Sequence, residues 1–265
     1  MSEREVVDWN LGTKNLRIER DGPIAWCVID RPQARNALTP SMYFGLKKAV
    51  TRVNADKEFR ALIITGTGDV FAPGGDLGGR YEEGDEPVPA GLAYECLPFV
   101  TVRESAAPVI SAVNGICQAG GLLIAMMSDI AVVSERATFR VPELLRGIID
   151  ATYAATLPAH VGMAQARDLL LSAKKIDAAE AYRIGLVSRI CRHADLEAEA
   201  RKAAVEILQT APECRAQVKR MLNHQYARID YETMFASLRN GASEAKEGMA
   251  AFMEKRLPNW VPEGL

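Results

Sequence analysis

Short apolar runs alternate along the chain with stretches in which apolar residues recur every three or four positions, a pattern that favours an α/β fold with mainly parallel strands. The runs predict strands at Leu16–Glu19, Ala25–Ile29, Leu62–Thr65, Val109–Val113 and Ile130–Val133. Between the second and third, Thr39 is placed to cap a helix that opens on Pro40. Met42, Leu46, Ala49, Val50 and Val53 then share one face, which is read as core. After Asp177, the segment AAEAYRIGLVSRI reads as a helix, a stop at Gly185 and a short strand. Helical patterning dominates from Asp195 to Phe252, with Pro212 opening a new helix. The segment Gly78–Pro89 is rich in Gly, Pro and acids, so it is expected to be a mobile loop and a candidate pocket lid.

With 265 residues, 48% of them hydrophobic, the chain can bury the core of one principal domain. Lys and Arg number 32 against 34 Asp and Glu, so no general attraction to nucleic acid or anionic lipid is expected. A polyanionic ligand would need a local cluster of donors. Five scattered cysteines without a CxxC pair point to a reducing cytoplasm and give no metal signature. The charged start, MSEREVVDWN, lacks the apolar run of a secretory signal, again suggesting the cytoplasm. Pro108–Ser128 carries no acid, Lys or Arg, but Asn114, Gln118 and the glycines from Gly115 to Gly121 interrupt it. It reads as a buried strand, turn and helix, not as a membrane span.

Several chemistries drop out. His160, His193 and His224 form no ligand motif, and HExxH, GxSxG and GxxxxGK are absent. The segment beginning at Gly66 starts like a dinucleotide fingerprint, yet Phe71 stands where the third glycine is required. Two glycine-rich turns remain, each after an expected strand, in residues 61–77 and 108–133. Glycine lets a backbone N–H approach a ligand closely, and one N–H from each turn can converge on a single carbonyl oxygen. Gly120–Gly121 also opens the expected helix LLIAMM, whose N-terminus favours developing negative charge. The plainer reading is that these glycines serve only tight turns and close packing.

The segments DRPQARNALT (30–39), FAPGGDL (71–77), PVISAVNG (108–115), AGGLLIAMMSDI (119–130), ATFRVPELLRGI (137–148), AAEAYRIGLVSRI (178–190) and EGMAAFMEKRLPNW (247–260) occur in the order found in the enoyl-CoA hydratase/isomerase, or crotonase, superfamily. The chain resembles that family over roughly residues 15–260. The resemblance implies an α/β spiral of ββα units in residues 1–194 with the acyl-CoA site. It also implies a C-terminal helical trimerisation region in residues 195–265, assembling as a trimer or a dimer of trimers. By motif position, Gly75 and Gly120 match the oxyanion-hole residues that grip the thioester carbonyl. Ala34, Arg35 and Ala37 fall in the stretch that lies along the CoA nucleotide, and Lys255 and Arg256 resemble basic residues near its phosphate. An ordinary solvated helix face explains the last two equally well.

In this family the acyl-chain chemistry depends on two glutamate positions. Glu143, in Val141-Pro142-Glu143, keeps the second, while Leu123 occupies the first. One carboxylate moves a proton more readily than it orients, deprotonates and adds a water. The chain therefore resembles the isomerases with an apolar residue at the first position, and proton transfer between C2 and C4 is favoured over hydration. Glu143 lies among Val141, Pro142, Leu144 and Leu145, where desolvation would raise its pKa. Asp150 and Tyr153 enter the pocket region through RGIIDATYAATL, Asp150 reading first as the cap of a helix beginning at Ala151, and Tyr153 as a wall of the pocket. The expected substrate is an acyl-CoA, with coenzyme A part of it and no separate cofactor or metal. Hydration or another enolate chemistry such as C–C cleavage, with Asp150 or a loop residue as second catalyst, and a silent acyl-CoA-binding protein, are the alternatives.

Overall fold

The computed structural model describes residues 4–78, 81–87, 97–224 and 242–261. They form two compact units, one of Met1–Phe139 with Ile176–Asn223 and one of Arg140–Lys175 with His224–Leu265.

The first unit is built on a seven-stranded sheet of β1 (Glu5–Val7), β2 (Leu16–Asp21), β3 (Ile24–Ile29), β4 (Ala61–Gly66), β6 (Val109–Val113), β8 (Ile130–Ser134) and β11 (Arg189–Cys191), in that order. The first three strands pair antiparallel and the rest parallel. Strands β3, β4 and β6 are buried throughout or nearly so, which explains their continuous Val/Ile/Leu runs. The register Trp26↔Ile63↔Ile110 sets one row of large side chains across them. Against that row packs α6 (Leu196–Leu208), through Leu196, Ala200, Ala203 and Ala204. Small residues let the helix approach the sheet closely.

A second sheet, ordered β10 (Ile176–Asp177), β9 (Thr138–Arg140), β7 (Ile116–Gln118) and β5 (Val70–Ala72), is formed by strands of two or three residues. These are too short to show an alternating pattern in sequence. The helix expected after Thr39 is α1 (Pro40–Ala55); the Thr39 side chain accepts from the Met42 N–H, and Met42, Leu46, Ala49, Val50 and Val53 are all buried. Phe99–Arg103 forms α2 and Gly120–Met127 forms α3. Helix α5 (Ala178–Arg183) ends before Gly185, at φ 82°, and α7 (Pro212–Asn223) opens on its proline.

The second unit contains α4 (Ala151–Ser172), broken at Gly162 with φ 75° and ψ 158°, and α8 (Ala242–Glu254). Helix α8 packs on the short 3-10 turn Glu143–Arg146, so closely that a Cβ on Gly248 would fall 2.2 Å from the Arg146 carbonyl oxygen. Arg146 lies 4.7 Å over the Phe252 ring. The helical pattern read through residues 225–241 lies outside the described residues.

Candidate functional site

The two glycine turns meet in the first unit. A Cβ on Gly74 would fall 2.5 Å from the Ala119 Cβ and 3.6 Å from the Gly120 nitrogen. Gly74 adopts φ 109°, a conformation open to glycine and strained for other residues. Gly75 forms a parallel bridge with Leu38, whose two hydrogen bonds run from Leu38 N–H to the Gly74 carbonyl (2.9 Å) and from Asp76 N–H to the Leu38 carbonyl (2.8 Å). In such a bridge the N–H of the central residue, Gly75, turns to the opposite edge.

Gly120 is the first residue of α3, where an N–H has no partner within the helix. Ala119 precedes it at φ 49°, ψ −131°, a strained conformation for a residue with a side chain, worth about 1–3 kcal/mol. Strain of that kind persists only where the surroundings fix it. Here Gly121 presses against β5, since its Cβ would lie 2.2 Å from the Ala72 carbonyl oxygen.

Two buried asparagines hold the first turn. Asn36 donates to the carbonyls of Thr67 (3.1 Å) and Val70 (2.7 Å), and Asn114 to that of Gly68 (2.8 Å). The Asn36 side-chain oxygen accepts the Arg31 N–H, closing the loop that carries Ala34, Arg35 and Ala37 beside Leu38. Arg35 is exposed at φ 51°. Arg31 is buried and donates to Asp76 (2.8 Å), Glu82 (2.5 Å) and the Ala37 carbonyl (2.9 Å). Its guanidinium holds the Glu82 carboxyl below the ordinary value. Lys48 and Ser41 secure Glu86, so the described part of the expected lid is anchored at both Glu82 and Glu86. Residues 79–80 and 88–89 of that segment lie outside the described residues.

Leu123 sits one turn into α3, buried, with its N–H donating to the Ala119 carbonyl. Among the described residues no group of His, Cys, Asp or Glu could hold a metal. Burial pushes the Cys27 thiol up to about 12 and Cys117 well above its usual value, so neither is a nucleophile at neutral pH. No helix among the described residues is long and apolar enough to cross a membrane.

In the second unit, Glu143 opens the 3-10 turn that Gly147 closes in a left-handed conformation. Glu143 is 8% exposed, and its buried Oε2 finds no hydrogen-bond partner among the described residues. Burial first, and the negative charge of Asp150 second, push Glu143 up to about 7. Asp150 caps α4, accepting from the N–H groups of Thr152 (2.9 Å) and Tyr153 (3.2 Å). Burial nonetheless raises its pKa against those two bonds. Tyr153 is fully buried. Lys255 is exposed, at φ 56°, while Arg256 is committed to Glu247 (2.7 Å) and Glu254 (2.6 Å).

Arg31, Asn36, Asn114 and Tyr43, whose hydroxyl oxygen lies 2.0 Å from where a Cβ on Gly120 would stand, belong to the glycine site without having been expected there. Asn36 and Asn114 each stand within a quoted motif, so the signal was available. Tyr43 gave none, being one aromatic on a helix already assigned to core.

The sequence model of the family described as enoyl-CoA hydratase/isomerase matches residues 19–263. A probable enoyl-CoA hydratase of Mycobacterium bovis is 33% identical over 257 residues, covering 94% of this chain and 98% of the relative. A carnitinyl-CoA dehydratase of Salmonella typhi is 31% identical over 264 residues, with the same coverage. Among solved structures, an enoyl-CoA hydratase/isomerase from Pseudoalteromonas atlantica superposes with a TM-score of 0.80 at 30% identity, covering 94% of this chain and all of that one.

Proposed function

The chain belongs to the enoyl-CoA hydratase/isomerase family, and from that premise we propose that it shifts the double bond of an enoyl-CoA between C3 and C2 with Glu143 as its one proton carrier. It is an acyl-CoA enzyme of that family's type; the choice among the family's reactions rests on the state of Glu143. A carboxyl near pH 7 in pKa takes and returns a proton with little driving force lost either way.

In the proposed reaction the Gly75 and Gly120 N–H groups hold the thioester oxygen. The Glu143 carboxylate removes a C2 proton, and the electron pair spreads over the dienolate with negative charge on that oxygen. The protonated Glu143 then delivers its proton to C4, leaving the C2–C3 double bond. One donor in such a hole is worth about 3 kcal/mol of transition-state stabilisation. Leu123, buried and apolar, supplies no second carboxylate from α3 to activate a water.

A second reading is favoured by one observation: Asp150 is close enough to raise the Glu143 pKa. As a partner carboxylate it would support water addition or removal, the reactions named for the Mycobacterium and Salmonella relatives. Assembly as a trimer or a dimer of trimers is part of the proposal, supported by the exposed Leu144, Leu145, Ile149, Phe252, Met253 and Leu257 of the second unit.

The deciding experiment incubates 3-enoyl- and 2-enoyl-CoAs of several chain lengths with the enzyme in deuterated water. Isomerisation with deuterium at C2 and C4, outpacing hydration, is expected. Hydration outpacing exchange selects the Asp150 reading, and binding without either overturns both.

A further inference from the structure

Gly75 and Gly120 both have φ outside the left-handed region, so neither is glycine for conformational reasons. For Gly120 the reason is a neighbour: its Cβ would lie 2.0 Å from the Tyr43 hydroxyl oxygen, 3.0 Å from Cζ and 3.2 Å from Cε1. A Cβ on Gly75 would stand 3.7 Å from the same hydroxyl oxygen and from Cε2. One phenolic oxygen therefore fills the Cβ position of Gly120 and faces that of Gly75, the two glycines whose N–H groups were assigned to the thioester oxygen.

Tyr43 is positioned by the segment that bridges Gly75. Its N–H donates to the Thr39 carbonyl (3.0 Å) in the first turn of α1, and Thr39 directly follows Leu38, which bridges Gly75. The backbone that aims the Gly75 amide thus also aims the helix carrying the phenol. The residue is 9% exposed, and its ring meets Phe99 edge-on, centroids 6.1 Å apart and planes at 79°. A ring so packed keeps its position while the acyl group changes charge.

We propose that the Tyr43 hydroxyl is a third hydrogen-bond donor to the thioester oxygen, beside the Gly75 and Gly120 amides. The inference rests on the assignment of those amides to the thioester, and it makes Tyr43 a catalytic residue of that step. A phenol donates strongly to an oxyanion, because its own ordinary pKa, about 10, lies close to that of an enolate-like acceptor compared with an amide N–H. The contribution grows as charge develops on the oxygen, so it acts on turnover more than on binding.

The test is Tyr43→Phe, which removes the hydroxyl and keeps the ring that packs on Gly120 and Phe99. Turnover should fall by about 10²-fold with KM changed by less than about threefold. Butyryl-CoA, isotope-labelled at the thioester carbonyl, gives a second readout: its carbonyl stretch should shift to lower frequency on the natural enzyme and shift less on Tyr43→Phe. Fluorotyrosine at position 43, a stronger donor that needs no repacking, should increase that shift, which covers a Tyr43→Phe protein that fails to fold. If the natural enzyme shifts the carbonyl while neither substitution changes the shift or the rate, the Tyr43 proposal is overturned and the glycine assignment stands. If the natural enzyme produces no shift, the glycine assignment itself falls, and the Tyr43 role with it.

Discussion

Replacing Glu143 by Gln separates what this carboxyl does for catalysis from what it costs the fold. The side chain keeps its shape and loses its charge. Catalysis should fall by about 10²–10⁴-fold, the usual worth of a positioned acid–base group, with acyl-CoA affinity retained. Stability should move the other way. The folded pKa, about 7, lies above the ordinary 4.5, so the folded state holds the proton longer than the unfolded chain. The protonated carboxyl is accommodated below pH 4.5, and stability is lost as the pH rises through about 7. At about 1.4 kcal/mol per tenfold, the loss between pH 5 and pH 8 is about 2–3 kcal/mol, and Gln does not suffer it. Urea unfolding at both pH values, on protein in one oligomeric state, should show the variant gaining on the natural protein by that amount. The rate of the natural enzyme should rise through pH 7 as the carboxylate forms. Parallel stability curves for the two proteins, or a rate flat across pH 6–8, would refute the perturbed carboxyl and its role.

Leu123→Glu should raise hydration relative to isomerisation in a product assay, while an unpaired acid in the buried wall of α3 costs a few kcal/mol in unfolding experiments. Arg31→Met removes the buried guanidinium that Asp76 and Glu82 share and should destabilise by about 1–3 kcal/mol. Because Arg31 depresses the Glu82 pKa, the stability from that pair is present above the ordinary carboxylate pKa and is lost at lower pH, so the deficit measured by denaturation should shrink on acidification. Thr39→Ala removes the cap on the Met42 N–H and should cost about 1 kcal/mol, a fall in Tm of about 2–4 °C by calorimetry.

The parallel strands and α1 were legible because their signals are local. An unbroken apolar run marks a strand buried on both faces, and Thr39-Pro40 fixes a helix start to the residue. Asp150 was legible as a cap for the same reason, its acceptor lying two and three residues from the N–H groups it binds. The strands of the second sheet span two or three residues each, and their pairing is decided by partners far along the chain, such as Val70 with Ile116. The grouping of residues 140–175 with 224–265 is equally non-local.

At the glycine site the boundary between legible and hidden falls inside single residues. Sequence could say that Gly120 begins a helix after a glycine-rich turn, and the family motif could give it a role, but neither explains why glycine is required there. The backbone conformation does not require it. The requirement comes from Tyr43, 77 positions earlier by residue number, whose hydroxyl fills the space a methyl group would need. Position 119 shows the reverse: a strained φ of 49° is borne by alanine, where glycine would relieve the conformational cost. The conformation of Ala119 and the glycine at 120 therefore have different causes, one set by the turn's meeting with Gly74 and Ala72, the other by the phenol. This gives the proposed donor geometry a structural check independent of turnover: Gly120→Ala alone should displace the phenol, and in a Tyr43→Ala background the same methyl group should be accommodated.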